Sequence, residues 1–107
     1  MLSYRIVIGT GEDRHGEPIS VSRRVQAVGN IKYDAAASFG GFTFTWSGGG
    51  WINGEGRLVE ERSAVFDILA DEPASYVREW ARKQGGRLDQ ECIVIVYHDG
   101  AGEIVNV

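Results

Sequence analysis

Between Leu58 and Ala70 the chain reads as one long strand that is apolar on both sides, and this limits the fold more than any other feature. Side chains alternate across a strand, so Ala64, Phe66 and Ile68 share one face while Val65 and Leu69 share the other. Cys92-Ile93-Val94-Ile95-Val96-Tyr97 repeats the pattern, with apolar residues at both parities. Strands of this kind belong inside a sheet whose two faces are both covered. A chain of 107 residues makes one compact domain, 1–107, with no repeat, low-complexity segment or linker to divide it.

The flanking segments supply the remaining elements. Residues 4–8, Tyr-Arg-Ile-Val-Ile, form a β-branched and aromatic strand that stops at Gly9, and residues 9–16 are a polar loop. Val21, Val25, Val28, Ile31, Ala35 and Phe39 recur at three- and four-residue steps. They predict a helix capped by Ser20 and stopped by Gly40, with Gly29 a point where it can break. Residues 42–46, Phe-Thr-Phe-Thr-Trp, alternate as a second strand. Gly48-Gly49-Gly50 and Asn53-Gly54-Glu55-Gly56 flank Trp51-Ile52, so a long glycine-rich hairpin connection is expected before the strand from Leu58. Asp71-Glu72-Pro73 opens a second helix with the proline in its first turn; Ala74, Val77, Trp80 and Ala81 form its apolar stripe and Gly85-Gly86 its end. After the strand ending at Tyr97, the Asp99-Gly100 turn leads to a short fifth strand at Ile104-Val105.

The order β-α-β-β-α-β predicts an α+β, ferredoxin-like fold: one antiparallel sheet with two helices on one face. Two helices cover one face only. The other face is expected to be buried by copies of the same chain, giving a homo-oligomer; analogy with other ferredoxin-like chains favours a trimer.

Charge narrows the partners. Fifteen Asp plus Glu against eleven Lys plus Arg leave a net charge of −4, which disfavours nucleic acid or an anionic membrane and mildly favours a cationic ligand. The single cysteine, Cys92, excludes an internal disulfide and a multi-cysteine zinc site. His15 and His98 lie far apart without neighbouring ligand types, so neither a metal nor another cofactor is expected. No apolar run approaches the roughly 20 residues that span a bilayer. Residues 1–5 lack the regions of a signal peptide, so a cytoplasmic protein is expected.

The segment from Gly48 to Glu61 is the most unusual in the chain. Glycines at Gly49 and Gly50 let backbone groups approach a ligand closely. The face of Trp51 near a carboxylate suits an organic cation. The plain alternative is a flexible hairpin with a solvated glutamate pair. Adjacent strand residues point to opposite faces, so Glu60 shares parity with Phe66 and Ile68, towards the helices. Glu61 shares parity with Val65 and Leu69, on the face expected to meet another subunit, and is therefore the preferred intersubunit candidate. A strand bulge would reverse that choice.

Glu60-Glu61-Arg62-Ser63-Ala64-Val65, the Asp-Glu-Pro helix and Gln90-Glu91-Cys92-Ile93-Val94-Ile95-Val96-Tyr97 resemble the phage S-adenosylmethionine-degrading enzymes, long called hydrolases and now regarded as lyases. That family shows a Gly-x-Tyr segment, a Glu-Glu pair entering a strand, a helix, and a Gln-Asp-Cys-Val-Leu-Val-Tyr-like strand. The similarity runs in order from Trp46 to Tyr97. It implies a ferredoxin-like trimer with active sites between subunits, bacteriophage origin and an anti-restriction role in the host cytoplasm. The family's essential carboxylate would fall on Glu60 or Glu61 and its active-site tyrosine near Trp51, a departure because tryptophan has no hydroxyl.

The chemistry so implied suits a small site. The substrate's sulfonium is already an activated leaving group, and its own carboxylate can attack the γ carbon to give methylthioadenosine and homoserine lactone. The protein then folds the methionine moiety into an attack geometry and stabilises its cationic parts. Glu61 would hold the ammonium or an ordered water, Trp51 or Trp46 would cover the adenine or sulfonium, and Ser63 would lie close by among the substrate-binding residues. With water as nucleophile instead, Glu61 would be a general base and homoserine the direct product.

Three other readings compete. Residues 41–46 share an aromatic strand pattern with RNA-recognition domains, but lack the preceding basic residue and fall on the second strand. A PII-like trimeric nucleotide-binding module or a phage inhibitor protein would leave Glu61 without a catalytic duty. Gly9-Thr10-Gly11 is followed by Glu12 and Asp13, which would repel a phosphate. Arg23-Arg24 reads as a solvated helix face.

Overall fold

A computed structural model describes all residues, Met1–Val107. The first strand, β1 (Leu2–Gly9), buries Tyr4, Ile6 and Ile8 on one face and leaves Ser3, Arg5 and Val7 on the other, as its alternation dictates. It runs between β3 (Leu58–Ala70) and β4 (Cys92–Tyr97), antiparallel to both, with Ile6 opposite Phe66 and Ile95. Adding β2 (Thr43–Ile52) and β5 (Gly102–Asn106) gives a five-stranded sheet in the order β2-β3-β1-β4-β5. This is the antiparallel ferredoxin-like arrangement that the element order predicts, with β5 added at one edge.

Two helices, α1 (Val21–Phe39) and α2 (Ala74–Arg87), cover the face carrying Tyr4, Ile6, Ile8, Ala64, Phe66 and Ile68. Ser20 caps α1, its Oγ accepting from the Arg23 amide at 3.2 Å, and Gly40 ends it in the left-handed conformation at φ 82°. Gly29 does not break the helix. The buried stripe is Ala27, Val28, Ile31 and Ala35. Val21 and Val25, part of the sequence stripe, are exposed, and the inward position of the first turns is taken by Arg24, three, four and seven residues before Ala27, Val28 and Ile31, which is half-buried.

Helix α2 departs from expectation at both ends. Pro73 is the N-cap, just outside the first turn, and the helix passes through Gly85 and Gly86 to Arg87. Gly85 is a packing residue there: a Cβ on it would lie 2.7 Å from Val107 Cγ2 and 2.8 Å from Ile93 Cγ2. Glycine lets the helix close onto β4 and the chain end.

The larger correction concerns the glycine run. Gly48, Gly49 and Gly50 are not a loop; they lie in β2, opposite Arg62, Glu61 and Glu60, and only residues 53–57 turn. The Asn53 side chain holds that turn by accepting from the amides of Glu55 and Arg57. The β2–β3 hairpin therefore reaches past the end of β1, whose last residue, Gly9, pairs with Ser63. The second sheet face remains open. Val65 is buried there, while Leu69 is 54% and Ile104 72% exposed.

Candidate functional site

Where β1 ends, the sheet leaves a gap. Thr10, fully buried, donates its amide and its hydroxyl to the Arg62 carbonyl, at 2.9 and 3.1 Å, and the chain then turns away from β3. A cleft of about 350 Å³ opens between the uncovered start of β3, the loop after β1 and the first turns of α1. Val59, Glu60, Glu61 and Arg62 form one wall; Gly9, Gly11, Glu12, Pro18, Arg24 and Gln90 form the other.

The far wall is pinned from both ends of the chain. The Gln90 Nε2 donates to the carbonyls of Glu12 (2.7 Å) and Leu88 (3.0 Å), tying the loop after β1 to the segment before β4. Its Oε1 lies so close over Gly9 that a Cβ there would be 2.6 Å away. Within the loop, Asp13 accepts from the amides of His15 and Glu17, and these bonds, Glu17 first, hold its carboxyl below the usual carboxylate range.

The candidates divide by parity. Glu61, Gly49, Trp51 and Ser63 share the open face, and the Trp51 indole Nε1 donates to Glu61 Oε1 at 3.2 Å. Glu60, Gly50 and Trp46 share the helix-side face. Both glutamates and Arg62 line the cleft, and the same three residues also line an open concavity with Gly48, Gly49 and Gly50. Trp46 is held edge-on against Phe44, centroids 5.1 Å apart, and borders a shallow depression with Ser47, Gly48 and Arg62. Trp46 and Trp51 thus do not face one ligand position. Ser63 lines an open-face groove beside Ser47 and Val65, outside the cleft.

Five charged side chains border the cleft: Glu12, Glu60, Glu61, Arg24 and Arg62. None of them makes an ion pair, although seven pairs form elsewhere. Unpaired charges of both signs around a concavity leave their interaction free for a ligand that is itself charged. Arg24, expected on a solvated helix face, is half-buried and lines the cleft instead. The signal was present: Arg24 stands three and four residues before Ala27 and Val28, on the inward stripe. No three His, Cys, Asp or Glu side chains gather as metal ligands, and no helix is long and apolar enough to cross a membrane.

No family model matches the chain, and no curated protein matches it in sequence. Two solved structures share its fold. One is a phage SAM lyase in complex with S-methyl-5'-thioadenosine, at a TM-score of 0.68 and 18% identity, covering 99% of this chain and 89% of the other. The second is a phage SAM lyase in the apo state, at a TM-score of 0.63, with the same identity and coverage.

Proposed function

We propose that this chain cleaves S-adenosylmethionine to methylthioadenosine and homoserine lactone. The observation that carries the reading is the cleft at the end of β1: the Glu60-Glu61 pair that resembles the lyase motif lines it, in a fold shared with phage SAM lyases across 99% of the chain. An oxygen of the substrate's carboxylate forms a bond to its own γ carbon while the bond from that carbon to sulfur breaks. The electron pair goes to the sulfonium, which leaves as a neutral thioether. Neither water nor an enzyme nucleophile enters the balance, and no proton moves.

The protein's part is placement and charge. Glu61 carries the catalytic duty by holding the ammonium group close to the folded methionine chain, and Glu60 supports it from the cleft side. The Trp51 N–H donates to Glu61 and so fixes that carboxylate. Indole is a donor only, so Trp51 orients the acid and has no part in relaying a proton. Gly49 and Gly50 keep the strand bare beside both acids. Since Glu61 and Trp51 lie on the open face with Leu69, we propose that a second copy of the chain, in a trimer, completes each site. The setting is host cytoplasm during phage infection.

Incubation of the purified protein with S-adenosylmethionine tests the reaction. Methylthioadenosine release well above the buffer control is expected; release equal to the control rejects it. Water labelled with heavy oxygen leaves the first-formed lactone unlabelled, whereas direct hydrolysis puts label into the first product. Light scattering that gives the mass of a single chain would remove the intersubunit part.

A further inference from the structure

The cleft holds more positive charge than a site for a simple cation needs. Arg24 reaches it from α1 and Arg62 from β3. Arg24 occupies the inward stripe of its helix, where spacing from Ala27 and Val28 calls for an apolar residue, and it is half-buried. A guanidinium in that position gives up part of its hydration, a cost that an anionic partner offsets. Three glutamates border the same cleft and neither arginine pairs with any of them. Of the other seven arginines, Arg5, Arg14, Arg78, Arg82 and Arg87 each have a carboxylate within 4.0 Å, and the two that do not, Arg23 and Arg57, are exposed and lie outside the cleft.

We infer that Arg24 and Arg62 are a carboxylate-binding pair, so that the cleft recognises the amino-acid end of its ligand as a zwitterion. Glu60 and Glu61 take the cationic groups while the arginines take the anionic one. This rests on the S-adenosylmethionine reading, and it assigns that reading a specificity: thioether nucleosides with a free carboxylate over those without. A guanidinium on one carboxylate oxygen orients the group and leaves the other oxygen free to reach the γ carbon. Both arginines are therefore ligand-positioning residues.

Calorimetric titration with two probes tests this. S-adenosylhomocysteine carries the ammonium and carboxylate but no sulfonium, so it is not cleaved; methylthioadenosine carries neither group. The wild-type protein should bind both. Arg24→Gln and Arg62→Gln should each weaken S-adenosylhomocysteine about tenfold, the loss of one charge-assisted contact, and leave methylthioadenosine within about twofold. Arg24→Lys should recover part of the loss, and circular dichroism should show every variant folded. Equal weakening of both probes, or of neither, overturns the pair while the lyase reading stands. Wild-type binding of methylthioadenosine alone does the same. Failure of the wild type to bind either probe overturns the lyase reading and this assignment together.

Discussion

Charge is used in opposite ways at two places in the molecule. Where α2 packs on β4, β5 and α1, the charged groups Arg78, Glu103, Asp34, Lys83 and Arg87 are closed into ion pairs. Arg78 donates through Nε and Nη2 to both oxygens of Glu103, at 3.0 and 3.1 Å, and the Tyr97 hydroxyl joins the same carboxylate. Asp34 accepts from Gln84 at 2.7 Å, with Lys83 and Arg87 at 3.4 and 3.6 Å from the same oxygen. At the end of β1, five charged groups border one cleft and none is paired. The first arrangement joins helices and the edge strand into one body. The second leaves electrostatic interaction unspent until something enters the cleft, which is what a binding site requires.

The sharpest way to break this comparison is to remove one polar group from each region, a charge at the cleft and a neutral amide in the network, and read stability and activity separately. Glu61→Gln keeps an oxygen for the Trp51 N–H and deletes the charge. Turnover of S-adenosylmethionine should fall by at least about a hundredfold, with the melting temperature unmoved. A variant that keeps near-normal turnover transfers the role to Glu60, and a large drop in melting temperature shows that the cleft charges hold structure after all. Gln84→Ala is the counterpart. Gln84 is fully buried and its amide donates to Asp34, so removing it should cost about 1–3 kcal/mol in urea unfolding. Activity per folded molecule should not change.

A pH series sharpens the contrast with a smaller effect. Arg78, then Tyr97, hold the Glu103 carboxyl below its ordinary range. Burial pushes Asp34 upward, but Gln84 and Lys83 outweigh it and leave its carboxyl low. Groups with lowered native pKa values bind protons more readily in the unfolded chain, so their stabilisation is complete above about pH 4.5 and fades as pH falls through the lowered values. Burial, then Glu103, raises the Tyr97 phenol. Its contribution is complete below about pH 10 and fades as pH rises through the raised value. Thermal unfolding should therefore show a plateau with losses on both sides. Asp34→Asn should flatten the acid limb; a limb that keeps its slope in that variant means that other carboxylates control it.

The sheet and both helices were legible because apolar periodicity is written in side chains. Tyr4, Ile6 and Ile8, or Ile93 and Ile95, announce their face by alternation alone. The same logic hid the far half of β2, since Gly48, Gly49 and Gly50 have no side chains with which to alternate and glycine weighs as a turn former. Gly85 misled for a related reason: it reads as a helix stop, but its role is contact with Ile93 and Val107, residues distant in sequence. Of the candidate site, the parity that separates Glu60 from Glu61 was readable. The opposing wall was not, because Gly9, Glu12, Arg24 and Gln90 come together only in the fold, with Gln90 donating to the Glu12 carbonyl across 78 residues.

That long-range pin offers the finest test of how far the cleft depends on the fold around it. Gly9→Ala places a methyl group 2.6 Å from Gln90 Oε1, the end of a side chain that can move. If Gln90 swings aside, its Nε2 leaves the carbonyls of Glu12 and Leu88, and the loop after β1 loses its tie to the cleft wall. The expected loss of stability is about that of one hydrogen bond, roughly 0.5–1.5 kcal/mol. Gly41→Ala, which meets nothing within 4 Å, should leave stability unchanged. The decisive readout is KM for S-adenosylmethionine, because the loop carries Glu12 and Gly11 on the same wall as Arg24. A rise in KM with kcat preserved shows that the wall is positioned by Gln90. An unchanged KM beside a lowered melting temperature would place Gln90 with Gln84 and Asp34, among the groups that hold the structure together and take no part in binding.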